Sequence, residues 1–152
     1  LLATTASILD AKLPAGSGED SVSFLPALSG KRIVSTRNGV IHHSNSGHFA
    51  YRYGKWKLLL ARSSGGWSAP GEELVEAGAP EAQLYDMEND VGETNNLYRK
   101  NPEVAERLLA LLAADVNAGR STEGTKSLND VADIVLWKSG RGPAPAKAEK
   151  AK

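Results

Sequence analysis

Cysteine is absent from all 152 residues, so disulfides, Cys-ligated zinc and thiol nucleophiles are excluded. Neither sign of charge prevails: 18 Lys and Arg balance 18 Asp and Glu. That balance argues against a generally basic nucleic-acid binder and removes steering by net charge. No apolar run approaches the roughly 20 residues that a membrane span needs. The start lacks the basic region and apolar core of a signal peptide. Leu1 stands where Met would open a nascent chain, so a processed chain or a piece of a longer one is the expectation. What remains is ordinary for a globular protein: 41% apolar and 24% charged residues, enough for one domain with one sizeable core.

Helical spacing of Leu2, Ala6 and Leu9 predicts the end of a helix over Leu1 to Lys12, closed by the Pro14–Gly18 loop. Ser21 to Leu28 reads as a short helix ended by Gly30. Strand character follows in Arg32–Ser35, Gly39–Ser44, His48–Tyr53 and Trp56–Ala61, with turns at Asn45-Ser46-Gly47 and Gly54-Lys55. Ser63 to Pro80 is a long loop with four glycines and two prolines, of the kind that is usually functional or mobile. Ala82–Met87 is a further strand candidate, and Asp133–Trp137 a last one. The clearest helix is Pro102 to Asn117: Asn101 suits the N-cap, Pro102 the first turn, and Glu103 the positive end of the dipole. Val104, Leu108, Leu111 and Leu112 form its apolar stripe, and Gly119 is placed to end it. The expected class is α+β: a small antiparallel sheet packed against a C-terminal amphipathic helix. From Ser139 the composition turns to Gly, Pro, Ala and Lys, which predicts a disordered basic tail over 139–152.

Four groupings invite a chemical reading. His42, His43 and His48 lie close in sequence, but no carboxylate shares their segment, and strand periodicity sets His42 and His43 on opposite faces. They read as polar residues at a hairpin end, as substrate contacts in a cleft, or, least readily, as metal ligands. Asp86, Glu88 and Asp90 suggest a calcium loop, but Val91 and Leu97 stand where that loop needs Gly and Glu, so a capped turn is expected. Gly65-Gly66-Trp67 either exposes backbone and an aromatic ring to a sugar or aryl group, or packs Trp67 down as a connector. It lacks the Gly-Lys-Ser/Thr ending of a phosphate loop. Arg52, Lys55 and Lys57 beside Tyr51, Tyr53 and Trp56 read as the solvent face of an edge hairpin, with stacking on single-stranded nucleic acid as the weaker reading. No G-x-S-x-G elbow supports serine catalysis.

The order of segments is more specific than any of these. Gly47-His48-Phe49-Ala50-Tyr51-Arg52-Tyr53-Gly54-Lys55-Trp56-Lys57-Leu58 comes first, then Gly65-Gly66-Trp67, then Gln83-Leu84-Tyr85-Asp86-Met87 through Glu93-Thr94-Asn95-Asn96-Leu97, then the helix opening at Asn101-Pro102-Glu103. This order resembles the C-terminal portion of arylsulfatases, members of the alkaline-phosphatase-like superfamily. The turn departs from the family pattern only in placing Val91 where Pro is usual. Leu1-Leu2-Ala3-Thr4 and Ser21–Leu28 resemble the end of the family's large catalytic domain.

The resemblance implies three regions: residues 1–31 closing and linking to a catalytic α/β domain, residues 32–138 as the C-terminal subdomain, and the tail. It implies a sulfuric ester hydrolase as the full-length protein, acting through hydrated formylglycine with calcium holding the sulfate. The formylglycine motif is not here: Ser68-Ala69-Pro70-Gly71-Glu72 has Glu where the motif needs Arg. Catalytic residues, the calcium ligands and the catalytic Lys and His all fall upstream of the matching region, so this chain is expected to hold no cofactor and to be inactive alone. The implied partners are the catalytic domain of the same polypeptide and a sulfated small molecule or glycan, with no nucleic acid and no membrane span. The family's bacterial members imply export to the periplasm or beyond. His43 and Ser44 match an H-H-S stretch of close relatives and are the first candidates for lining the substrate cleft; His48 and Trp67 follow, since imidazole and hydroxyl donors suit an anionic ester. The rival expectation is a stand-alone binding module for sulfated glycans. A docked catalytic domain further implies an exposed apolar face, led by Leu1–Lys12.

Overall fold

The computed structural model describes residues 1–35, 37–71 and 74–138. The tail expected over 139–152 lies outside them. Four strands form one antiparallel sheet in chain order: β1 (Val40–His43), β2 (Phe49–Tyr53), β3 (Trp56–Leu59) and β4 (Gln83–Asp86). Their period of two sorts the side chains. Ile41 faces Tyr51, Tyr51 faces Leu58 and Leu58 faces Leu84, so one apolar row crosses all four strands. The outer edge of β4 is covered: the Leu97 amide donates to the Leu84 carbonyl at 2.8 Å, and the Asn96 side chain accepts from the Leu84 amide at 3.1 Å.

The apolar row needs a lid, and the last helix, here numbered α3 (Pro102–Ala118), supplies it. Leu108 and Leu112 are fully buried against Tyr51, Leu58, Leu60 and Leu84. Pro102 opens the helix and Gly119 closes it in the left-handed conformation at φ 66°. Asn101 sits at the N-cap but makes no side-chain cap bond; its amide instead donates back to the Leu97 carbonyl. The expected α+β arrangement of sheet and C-terminal helix is thus observed.

Two expected strands do not form. Arg32–Ser35 is irregular, with Ile33 and Val34 exposed. Adjacent apolar residues cannot share one face of a strand, and no neighbour offers them a ladder. Asp133–Trp137 is also irregular; Leu136 and Trp137 pack on the core from a loop. The β2–β3 hairpin was expected at an edge, but the sheet order makes both strands central. Lys57 consequently pairs with Glu93 at 2.5 Å and Lys55 with Asp86 at 2.7 Å.

The N-terminal part carries α1 (Leu2–Ile8) and the single turn α2 (Leu25–Leu28). Its helix ends earlier than the spacing suggests, at Ile8, and Asp10 just beyond it takes φ 51°. Thr4 and Ala6 face inward, while Leu2 and Leu9 are exposed. Thr4 Oγ1 accepts from the Phe24 amide at 3.0 Å, and Ser21 Oγ from the Ala3 amide at 2.9 Å. This part is tied to the end of α3: Asp20 accepts from the Ser121 amide at 2.8 Å, and Thr122 donates to the Glu19 carbonyl at 2.6 Å. Leu1, Leu2, Ile8, Leu9, Phe24, Leu28 and Val34 leave an apolar surface on it, in keeping with the expected exposed face.

Candidate substrate cleft

The turn after β1 is closed by its own side chain. Ser44 Oγ accepts from the His48 amide at 3.0 Å, the Ser44 amide donates to the His48 carbonyl at 3.0 Å, and Gly47 takes φ 76°. The loop after β3 is pinned the same way: Ser63 Oγ accepts from the Gly65 amide at 3.1 Å, and Ser64 Oγ from the Gly66 amide at 3.3 Å. Ser64 also bridges forward, its amide donating to the Pro70 carbonyl at 3.1 Å. Gly65 lets the two loops touch. It adopts φ 71°, and a Cβ there would stand 3.2 Å from the Ser44 Cβ.

Between these loops lies a cleft of about 490 Å³, lined among others by Ser46, His48, Ser63, Trp67 and Ser68. His48 is buried, with Nδ1 3.1 Å from the Leu60 carbonyl. A carbonyl only accepts, so Nδ1 carries the proton in that bond. Trp67 is 90% exposed, so the packed-down alternative is not what forms. Leaving 150–250 Å² of indole in water forgoes about 4–6 kcal/mol of burial at roughly 25 cal/mol/Å².

The structure therefore brings His48 and Trp67 to one cleft, with Ser44 holding the turn that forms its wall. His43 lies elsewhere. It points to the α3 side, its ring 4.2 Å from Phe49, and borders a second cavity of about 380 Å³ with Asp115, Arg37 and Arg120. His42 is on the opposite face, where desolvation and then the Lys57 charge hold its imidazole below the ordinary value. The three histidines do not converge. Asp115 is the member that sequence reasoning missed. It is buried on α3 and accepts a 2.7 Å bond from the Tyr51 hydroxyl. Its signal was present: it falls three and four residues beyond Leu112 and Leu111, on the apolar stripe.

The carboxylates after β4 form the capped turn expected of them. Asp86 accepts from Lys55, Asn89 and the Glu88 amide; Asp90 accepts from Thr94 and the Asn95 amide. Among the described residues no three His, Asp or Glu side chains stand together as a metal site. The Lys55 bond chiefly lowers the Asp86 pKa, and the Thr94 amide chiefly lowers that of Asp90. Depressed carboxylates contribute stability above the ordinary value of 3.8 and lose it as pH falls through the folded value. Urea midpoints should thus drop between about pH 5 and pH 3, and less steeply in Asp86→Asn. An identical slope in the variant would refute the assignment.

No family model and no curated protein matches the chain. Solved structures do. A Bacteroides thetaiotaomicron protein labelled BT33336S-sulf, described with the metabolism of multiple glycosaminoglycans, is 30% identical with a TM-score of 0.58 and covers 75% of this chain. The sequence resemblance and the fold point to one family, the sulfatases. A second sulfatase-named protein from Bacteroides thetaiotaomicron VPI-5482 (21% identical, TM-score 0.54) and BT1596, a 2-O GAG sulfatase (20%, 0.53), each cover 76% of the chain and share the fold. The chain spans only 23% of the length of each of these sulfatase structures. Its four-stranded sheet and helix correspond to the sulfatase C-terminal region.

Proposed function

We propose that this chain is the C-terminal part of a sulfatase that hydrolyses aryl or carbohydrate sulfate esters, and that it lines the substrate cleft. The observation that carries the reading is the 30% identity over 75% of the chain, at a TM-score of 0.58. The residues named from the sequence take positional roles: His48 and Trp67 border one cleft, Ser44 shapes it, and His43 borders a separate cavity. On this reading formylglycine and calcium belong to the remainder of the polypeptide, together with the catalytic domain that would dock here, and the whole enzyme is exported. The residues of this chain bind and orient.

The deciding experiment reads the coding DNA ahead of Leu1. An open frame through a few hundred codons, containing a Cys- or Ser-x-Pro-x-Arg motif, is the expected result. An initiator just before Leu1 would overturn the proposal and favour a stand-alone module for sulfated glycans. A chromogenic aryl sulfate offered to the purified 152-residue chain should show no turnover above buffer. Clear turnover would sink the assignment of catalysis to residues elsewhere.

A further inference from the structure

We infer that Trp137 and Lys138 are positioning residues for the His48 imidazole, carried to it by a strap of chain that runs from the end of α3 across the sheet. For its functional meaning the inference rests on the reading of the His48 cleft as a substrate cleft. Every contact it uses lies within this chain.

The strap is rooted where α3 stops. The Arg120 guanidinium is wrapped by the chain that follows it, donating to the Thr122 carbonyl at 2.9 Å, the Glu123 carbonyl at 2.8 Å and the Thr125 carbonyl at 2.9 Å. A planar fork of N–H donors suits several carbonyls at once. Gly124 is required in this turn: it takes φ 144°, and a Cβ there would stand 2.5 Å from the guanidinium carbon. The turn sends the chain back along α3. The Ser127 amide donates to the Ala118 carbonyl at 2.9 Å, and the Asn129 side chain to the Val116 carbonyl at 2.8 Å. Both are acceptors that the last turn of a helix leaves open.

The far end of the strap reaches the back of the cleft. Ile134 lines a cavity with Ile41 and Phe49, and Leu136 and Trp137 pack on the core. Trp137 and Leu60 line one cavity of about 380 Å³ between the sheet and α3. Leu60 is the residue that holds His48. Its carbonyl accepts the Nδ1 bond at 3.1 Å, and its amide donates to the Phe49 carbonyl at 2.8 Å. Lys138 meets the residue on the other side of the imidazole: a Cβ on Gly47 would stand 2.7 Å from its Nζ. The strap thus backs both the residue that precedes His48 and the one that orients its ring. Interiors are close-packed, so taking away the indole leaves Leu60 a void to move into. The ring follows its carbonyl partner, and with it the choice of nitrogen that carries the proton.

The test reads the His48 ring by NMR in the nitrogen-labelled 152-residue chain, where the side-chain nitrogen shifts report which nitrogen is protonated. The unaltered chain should show the Nδ1-protonated tautomer. Trp137→Ala should draw the Nδ1 signal away from the protonated position as the second tautomer appears, and Trp137→Phe should restore it. Lys138→Ala removes nothing from the core. It should move the Gly47 and His48 amide signals and leave those of Tyr51 and Leu58 in place. Urea midpoints, measured alongside, show whether each variant is folded. If Trp137→Ala does not fold, Trp137→Leu and Lys138→Ala carry the test. His48 signals unchanged in the folded variants overturn the inference and leave the sulfatase reading intact. Signals that move equally throughout the sheet mean a general loss of packing and overturn it as well. An initiator just before Leu1 would undo the sulfatase reading and leave the result on the ring standing.

Discussion

Leu112→Ala is expected to lower stability by about 2–5 kcal/mol. Leu112 has no exposed surface and lies in one cluster with Tyr51, Leu58, Leu84 and Leu108. The sheet and the helix hold this site from two sides, so its walls cannot collapse inward after truncation. The loss therefore combines the lost transfer energy with an unfilled cavity. Urea unfolding should show a lower midpoint with an unchanged slope, since the same surface is exposed on unfolding. A shift below about 1 kcal/mol would mean that α3 is less firmly seated than its burial implies.

Tyr51→Phe is expected to cost about 2–3 kcal/mol, although it removes one oxygen. The Tyr51 ring is fully buried and its hydroxyl donates at 2.7 Å to the buried Asp115 carboxylate. Burial first, and then this bond, push the Tyr51 ionisation far above its ordinary value, so the phenol remains a donor throughout the accessible pH range. Without it a largely enclosed carboxylate loses a charge-assisted partner. A second substitution separates this from lost packing. Asp115→Asn in the Tyr51→Phe background should cost less than the sum of the single changes. Strict additivity would show that the two groups do not act on each other.

The sheet and α3 were legible because their signals are local. Alternation of Phe49, Tyr51 and Tyr53 sets the faces, Gly54-Lys55 sets the turn, and Pro102 and Gly119 bracket the stripe of α3. Ile33 and Val34 looked like strand residues because β-branching was the only cue; a ladder partner is a tertiary fact, and none forms. The edge placement of Lys55 and Lys57 failed for the same reason, since pairing with β4 lies beyond a loop of more than twenty residues. In the candidate site, the exposure of Trp67 and the separation of His43 from His48 could not be read from spacing. The turn at Ser44 decides which way the chain leaves β1, and that depends on the contact between Gly65 and Ser44. Asp115 was readable as a charged residue on an apolar stripe, but its partner is 64 positions away.

The bonds from Glu19 and Asp20 to Ser121 and Thr122 have a consequence for the order of assembly. They join groups 101 and 103 positions apart, whereas the β1–β2 and β2–β3 hairpins close over turns of a few residues. Loop-closure entropy grows with the logarithm of the span, so the hairpins come together early and the N-terminal segment settles late. It has little to nucleate on until Gly119 has turned the chain at the end of α3. The meander and α3 are thus expected to form first, with residues 1–31 joining last, and faster amide exchange in residues 1–31 than in the sheet would check it. That arrangement keeps the apolar N-terminal surface on the part of the molecule that can still adjust when something larger meets it.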